Sequence, residues 1–207
     1  MHETTIVFLI DALGWRLAER HGLRPGGLVS RARLRTVCGF SQAALTTIFT
    51  GLMPDEHGLW MMYSFAGRRS PFGWLRLVPG RSPMRRLWLR RLVRSYLARV
   101  AGVRGYYSLY DVPREILVHL DIPFRGDVFA PGGAGASRTV FDRLARDRVP
   151  FMVWDHRTEE ARAFDELEEA VRGGKAAFYL LYTAGLDSDL HRLGTQAGEI
   201  RSRLARY

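Results

Sequence analysis

Three places in this 207-residue chain hold side chains able to do chemistry. Asp11 stands directly after the β-branched and aromatic run Thr4 to Ile10. Functional groups of open α/β sheets gather beyond the carboxyl ends of the strands, so a carboxylate there is placed to hold a cation. The alternative is a cap for a helix beginning near Ala12 to Trp15. Ser41 opens the helical pattern that follows Cys38-Gly39-Phe40. A hydroxyl at a helix start lies among backbone N–H groups and the positive end of the dipole, which favour an alkoxide and a bound phosphate. The plain alternative is an N-cap serine. Asp187 and His191, four residues apart after the run Ala177 to Tyr182, read in isolation as polar residues at the start of a surface helix.

The elements that must position these groups follow from periodicity. Thr4 to Ile10, Phe151 to Trp154 and Ala177 to Tyr182 are short continuous apolar runs, the pattern of strands buried on both faces of a parallel sheet. Leu34 to Val37 is expected to form a further strand ahead of Ser41. Amphipathic segments lie between: one from Ser137, an expected N-cap, with Val140, Phe141 and Leu144 on one face, and one from Thr158 with Ala161, Phe164, Leu167 and Val171, ending at Gly173-Gly174. Alternating strands and helices predict an α/β fold, a three-layer sandwich around a mostly parallel central sheet. Residues 59–126, rich in arginine, tryptophan and tyrosine and punctuated by Pro71, Pro79, Pro83 and Pro113, read as a cap or insertion within a single domain spanning 1–207. Within it, Met84 to Val100 is expected to be helical, with Trp88, Leu92, Tyr96 and Val100 along one side and Arg86, Arg90 and Arg94 along another.

Composition narrows the class. At 47% hydrophobic and 12% aromatic the chain can bury a core. No run of eighteen apolar residues and no leader pattern occurs, which sets a cytoplasmic, at most membrane-peripheral, location as the expectation. The single cysteine, Cys38, excludes an intrachain disulfide or a thiolate cage and is expected to pack as a small hydrophobe. The net charge of +10 is almost wholly arginine and favours polyanionic partners without choosing among them.

The stretch after Ser41 is more specific. Thr50-Gly51-Leu52, Pro54 and His57-Gly58 resemble the "TGL.P..HG" segment that follows the nucleophile in type I phosphodiesterases/nucleotide pyrophosphatases of the alkaline phosphatase superfamily. Counting back places the nucleophile on Ser41, with His57 serving the turn. Tyr182 to Gly194 resembles the same family's "D..GH..G" signature, with Leu190 where glycine is usual. The resemblance implies that Asp187 and His191 ligate one of two divalent ions, an oxygen and nitrogen mixture suited to zinc, and that Asp11 and Ser41 meet the other. It further implies in-line displacement at phosphorus, with Ser41 attacking, a phosphoryl-enzyme forming and water releasing it. The substrate class is a phosphorylated small molecule or a lipid-linked phosphate. Asp189 is left either as a partner for a ligand or as an exposed helix-start residue.

Several departures temper the implication. Family members often carry asparagine three residues after the nucleophile, and here Ala44 stands there. Sulfatases share the layout but need proline and arginine at the positions of Ala43 and Leu45, so a sulfatase ranks well below a phosphohydrolase. The family's Asp-His-Gly motif and a later histidine, which complete the two metal sites, fall after the matched segment, and the chain stops at Tyr207. The expectation is therefore a C-terminally truncated domain, holding half of the ligand set and leaving a sheet edge short of neighbours. Asp155-His156 precedes the Asp187 motif and is followed by Arg157, so it reads as a loop pair at a strand end. The competing classes are a metal-dependent phosphodiesterase or phosphatase, an inactive relative or fragment, and a basic protein that lies on anionic membranes through residues 81–104, a stretch that reads first as a cap helix whose arginines line a phosphate-rich substrate path or meet solvent. Nucleic acid ranks last, because no binding motif accompanies the charge.

Overall fold

The computed structural model describes residues 4–24, 26, 29–78, 87–104, 107, 112–196 and 198–207, excepting the side chains of residues 87 and 89. In chain order the elements are β1 (Thr5–Ile10), α1 (Trp15–Arg20), α2 (Ser41–Thr50), α3 (Pro54–His57), β2 (Ser64–Phe65), two short 3-10 turns (Gly67–Arg69 and Gly73–Leu77), α4 (Leu87–Arg99), α5 (Arg114–Leu117), β3 (Leu120–Asp121), α6 (Val140–Arg146), β4 (Phe151–Trp154), α7 (Glu160–Arg172), β5 (Phe178–Thr183), α8 (Gly185–Leu193) and α9 (Gly198–Leu204). They group into two compact units, residues 1–36 with 144–207, and residues 37–143.

The first unit is built on a parallel three-stranded sheet in the order β1-β5-β4. Thr5 to Ile10 pair with Phe178 to Thr183, and Phe151 to Trp154 pair with Phe178 to Leu181. The central strand explains its own sequence: Tyr179, Leu180, Leu181, Tyr182 and Thr183 are all buried, so neither set of alternating side chains meets water. Each buried leucine contributes about 2 kcal/mol of apolar transfer. Parallel pairing of β4 with β5 needs a crossover, which α7 supplies. Its start is set by Glu159, whose carboxylate accepts from the Ala161 and Arg162 N–H groups, and its end by Gly173 followed by left-handed Gly174. Ala163 and Ala170 of α7 pack with Phe164, Leu167 and Val171 against Trp154, Tyr179 and Leu181. The Tyr179 hydroxyl donates to the Ala170 carbonyl at 3.0 Å and accepts from the Ala176 N–H at 2.8 Å, tying strand to helix. Leu17, Leu186, Ile200 and Leu204 form a second cluster joining α1, α8 and α9.

The second unit has its core at Phe72, Leu75, Val93, Leu97, Val103, Leu117, Val118 and Ile122, beside the small antiparallel pair β2-β3. The segment expected as a cap, residues 59–126, lies within this unit.

Four expectations are corrected. Leu34 to Val37 forms no strand; Leu34 is 86% exposed, and a β-prone tetrapeptide gains nothing without a hydrogen-bonded neighbour. Cys38 is exposed and does not pack. Helix α6 begins at Val140, where Thr139 takes the place expected for Ser137: the Thr139 N–H and hydroxyl both donate to Asp142, and the Asp142 N–H returns a bond to the Thr139 hydroxyl. In α4 the buried side is Val93 and Leu97, while Trp88, Leu92 and Val100 stand in solvent. The expected start of that helix at Met84, with Pro79, Arg81, Pro83 and Arg86, lies outside the described residues.

Asp155, at the end of β4, is 5% exposed and held by Arg157, whose backbone N–H and Nε both donate to Oδ1 at 2.9 Å. Burial alone pushes its pKa up, but the Arg157 bonds and charge outweigh it, so the carboxyl titrates below its ordinary value. A depressed carboxyl contributes stability above its unfolded pKa, about 3.9, and the contribution is lost as pH falls through the folded value. Asp155→Asn is therefore expected to cost about 1–3 kcal/mol in urea unfolding at neutral pH. The deficit should shrink below about pH 4, and a deficit independent of pH would sink this assignment.

Candidate metal and nucleophile site

Asp11 leaves β1 at its carboxyl end, with its N–H bonded to the Thr183 carbonyl at 2.9 Å. The chain then turns through Ala12, a non-glycine residue at φ 60°, a conformation costing roughly 1–2 kcal/mol. In that turn the Ala12 N–H donates to Asp11 Oδ1 at 2.9 Å. The Tyr182 hydroxyl, from the neighbouring strand β5, donates to Asp11 Oδ2 at 2.6 Å. Helix α1 starts only at Trp15, with Gly14 as its cap residue, so the capping alternative for Asp11 is set aside. Tyr182 was visible only as the end of an apolar run, since nothing in one dimension tells which strand-end hydroxyl reaches a carboxylate on the next strand.

Asp187 lies in the first turn of α8, the helix that follows β5. Its carboxyl is raised above the usual range, first by burial and then by the negative charge of Asp11, with His191 acting in the opposite direction. His191 Nε2 is 3.5 Å from Asp187 Oδ1, and the imidazole is 81% exposed. The sheet thus brings Asp11, Asp187 and His191 to one edge. Two carboxylates that repel each other, with an imidazole alongside, have the donor chemistry of a divalent cation site. Among the described residues, however, no three His, Cys, Asp or Glu side chains come together as a complete metal-holding group.

Asp189 is neither a ligand partner nor an exposed residue. Its side chain is 16% exposed and binds Arg203 of α9, with Arg192 at 3.3 Å, and the Arg203 bond first of all lowers its pKa. Glu160, unmarked in the sequence, accepts from the Thr183 hydroxyl, Arg203 at 2.9 Å and Tyr207 at 3.2 Å. Asp155 is engaged by Arg157, as expected of a strand-end loop pair. Beyond the ends of β4 and β5 opens a cavity of about 520 Å³, lined by His156, Thr158, Tyr182, Ser188, Arg203 and Arg206 among others.

Ser41 belongs to the second unit and is the first residue of α2. The cap position is Phe40, so the reading of Ser41 as an N-cap fails; its hydroxyl sits one residue inside the helix start. Gly39 sets this approach: at φ 135° a Cβ there would lie 2.7 Å from both the Ala43 Cβ and the Trp60 carbonyl oxygen. The residues beyond serve local geometry. The Thr50 hydroxyl donates to the Thr46 carbonyl at 2.7 Å and accepts from the Leu52 N–H at 3.1 Å, while Gly51 ends α2 at φ 75°. Pro54 opens α3 and Gly58 closes it at φ 73°. His57 Nδ1 accepts from the Leu59 N–H at 3.1 Å, leaving Nε2 to donate to the Thr47 hydroxyl at 3.1 Å. Burial lowers its pKa against the pull of Asp55 and Glu56, which suits a neutral ring holding the turn.

A parallel sheet crossed over by helices, with Asp11 at the carboxyl end of its first strand, defines an α/β protein of the kind that gathers functional groups beyond its strand ends. The chain belongs to the type I phosphodiesterase/nucleotide pyrophosphatase family, whose sequence model matches residues 5–207, and thereby to the alkaline phosphatase superfamily. Members act on phosphate esters and are typically metal-dependent. Comparison with curated proteins and with solved structures gave no match. Among the described residues no helix is long and apolar enough to cross a membrane.

One structural consequence is open to measurement. The Tyr182 bond to Asp11 is short, part-buried and charge-assisted. Tyr182→Phe is expected to cost about 2 kcal/mol in urea unfolding, because Asp11 keeps its charge and loses a donor. A cost near zero would show that the bond does not hold Asp11.

Proposed function

We propose that the protein is a metal-dependent hydrolase of phosphate esters, of the phosphodiesterase/nucleotide pyrophosphatase type, with Ser41 as nucleophile and Asp11, Asp187 and His191 as ligands at a two-metal site. The observation that carries the reading is the placement of Asp11 at the end of β1 and of Asp187 in the first turn after β5, where burial first and then the charge of Asp11 raise the Asp187 carboxyl. A charge pair of that kind is costly unless something positive shares it. Family membership supplies the reaction class.

Divalent ions held by Asp11, Asp187 and His191, whose mixed oxygen and nitrogen donors suit zinc, would supply Lewis-acid charge neutralisation. The rest falls to the chain. Asp11, fixed by Tyr182 and the Ala12 N–H, presents a carboxylate without reorganising. Ser41 Oγ forms a bond to phosphorus while the bond to the leaving alcohol's oxygen breaks. The serine proton passes to solvent, and the departing alkoxide takes one from water. Water then adds at the phosphorus of phosphoserine, and the seryl oxygen leaves, recovering its proton. The positive end of α2 favours the phosphoryl charge at Ser41.

The direct assay is hydrolysis of bis-p-nitrophenyl phosphate and p-nitrophenyl phosphate by the purified chain, titrated with zinc and then with a chelator. Zinc-dependent release of nitrophenol, lost on chelation, is expected. Absence of turnover at every zinc concentration would favour the second reading, an inactive relative, whose supporting observation is that no complete ligand group forms among the described residues.

A further inference from the structure

From His57 to Tyr110 the sequence contains eleven arginines and not one aspartate or glutamate. Helix α4 runs through the middle of this stretch. It buries Val93 and Leu97 completely in the core of its unit and turns a second apolar pair outward: Trp88 is 57% exposed and Leu92 50% exposed, one helical turn apart. Arg99 follows Leu92 along the same outer face, with Arg91 beside Leu92, and both are exposed. A soluble helix has no need of a second apolar strip, and an exposed tryptophan and leucine set among arginines is the composition of a helix lying in the headgroup region of a bilayer.

We propose that the outer face of α4 docks on anionic lipid surfaces, with Trp88 and Leu92 entering the boundary between headgroups and acyl chains and Arg91 and Arg99 paired with lipid phosphates. Charge complementarity selects this occupant. A second copy stacked face to face on α4 would set the same arginines against each other with no carboxylate in the stretch to relieve them. Nucleic acid would satisfy the arginines but leaves Leu92 without a role. The inference is independent of catalysis at the strand edge.

Flotation of the full chain with vesicles of phosphatidylcholine, alone or mixed with phosphatidylglycerol, at low and high salt tests it. Recovery with the anionic vesicles only, weakened by salt, is expected. Trp88→Ala/Leu92→Ala should abolish recovery. Arg91→Gln/Arg99→Gln should weaken binding about 30-fold, from roughly fivefold per charge at an anionic surface. All four side chains are exposed, so circular dichroism of the variants should superimpose on that of the parent. Binding to neither vesicle, equal binding to both, or undiminished binding by the two double variants would overturn the proposal. So would tighter binding to a single-stranded oligonucleotide that survives Trp88→Ala/Leu92→Ala.

Discussion

Ser41→Ala is expected to lower hydrolysis of a chromogenic phosphodiester by at least about a thousandfold while leaving the fold intact. Removing a covalent nucleophile costs far more than removing a supporting contact, because the residual reaction has only binding and charge stabilisation to draw on. The substitution is structurally mild. Ser41 is the first residue of α2 and not its cap, and alanine is the better helix former at an internal position. Thermal unfolding within a degree or two of the parent is therefore expected beside the lost turnover. Cysteine at the same position offers a second check, since a thiol restores a nucleophile but not its preference for phosphorus. A Ser41→Ala protein that keeps even a tenth of the parent rate would move the nucleophile elsewhere.

The second large effect is expected at Asp11. Asp11→Asn keeps the shape and one of the two oxygens that accept from the Ala12 N–H and the Tyr182 hydroxyl, but removes the charge that repels Asp187. Two consequences follow with opposite signs. Zinc binding, read by calorimetry, should weaken by about a hundredfold or more, as loss of a charged ligand does. The loss of stability of the metal-free protein as pH rises should become smaller. The raised Asp187 pKa means that the folded chain holds this proton more tightly than the unfolded chain does. Stability is therefore lost as pH climbs from the unfolded value, about 3.9, through the folded one. Removing Asp11's charge shrinks that loss, though burial, the larger cause, remains. A variant with weaker zinc binding and a steeper decline in stability over this range would contradict the coupling of the two carboxylates.

The parts of the fold that were legible are those where burial writes an unbroken pattern. Thr5–Ile10, Phe151–Trp154 and Phe178–Thr183 read as strands because a parallel sheet covers both faces and leaves no polar alternation to confuse the period. Helix α7 was bounded by its own chemistry, an acidic cap at one end and paired glycines at the other. Where two local signals competed, the structure chose the one with more bonds. Thr139 wins over Ser137 because Asp142, three residues on, closes a reciprocal cap, a spacing already present in the sequence. Helix α4 carries two apolar strips, and periodicity alone does not say which one meets a core. Leu34 to Val37 had strand-prone residues and no partner.

The positions of Asp11 at the end of β1 and of Asp187 and His191 on the helix after β5 were legible from strand ends and motif order. The edge pairing of the carboxylates and the Tyr182 bond depend on strand register, which emerges only when β1 is set beside β5. The "TGL.P..HG" residues proved to be turn chemistry. Thr50, Gly51, Pro54, His57 and Gly58 each close or open a helix and so fix the turns that follow α2.

The most direct test of the account is to acid-quench the zinc-loaded protein during turnover of bis-p-nitrophenyl phosphate and map the modified peptide by mass spectrometry. The account predicts a nitrophenyl phosphoryl group, or the phosphoryl group left by its further hydrolysis, on Ser41. Turnover with no adduct, or with the adduct on any other residue, would contradict it.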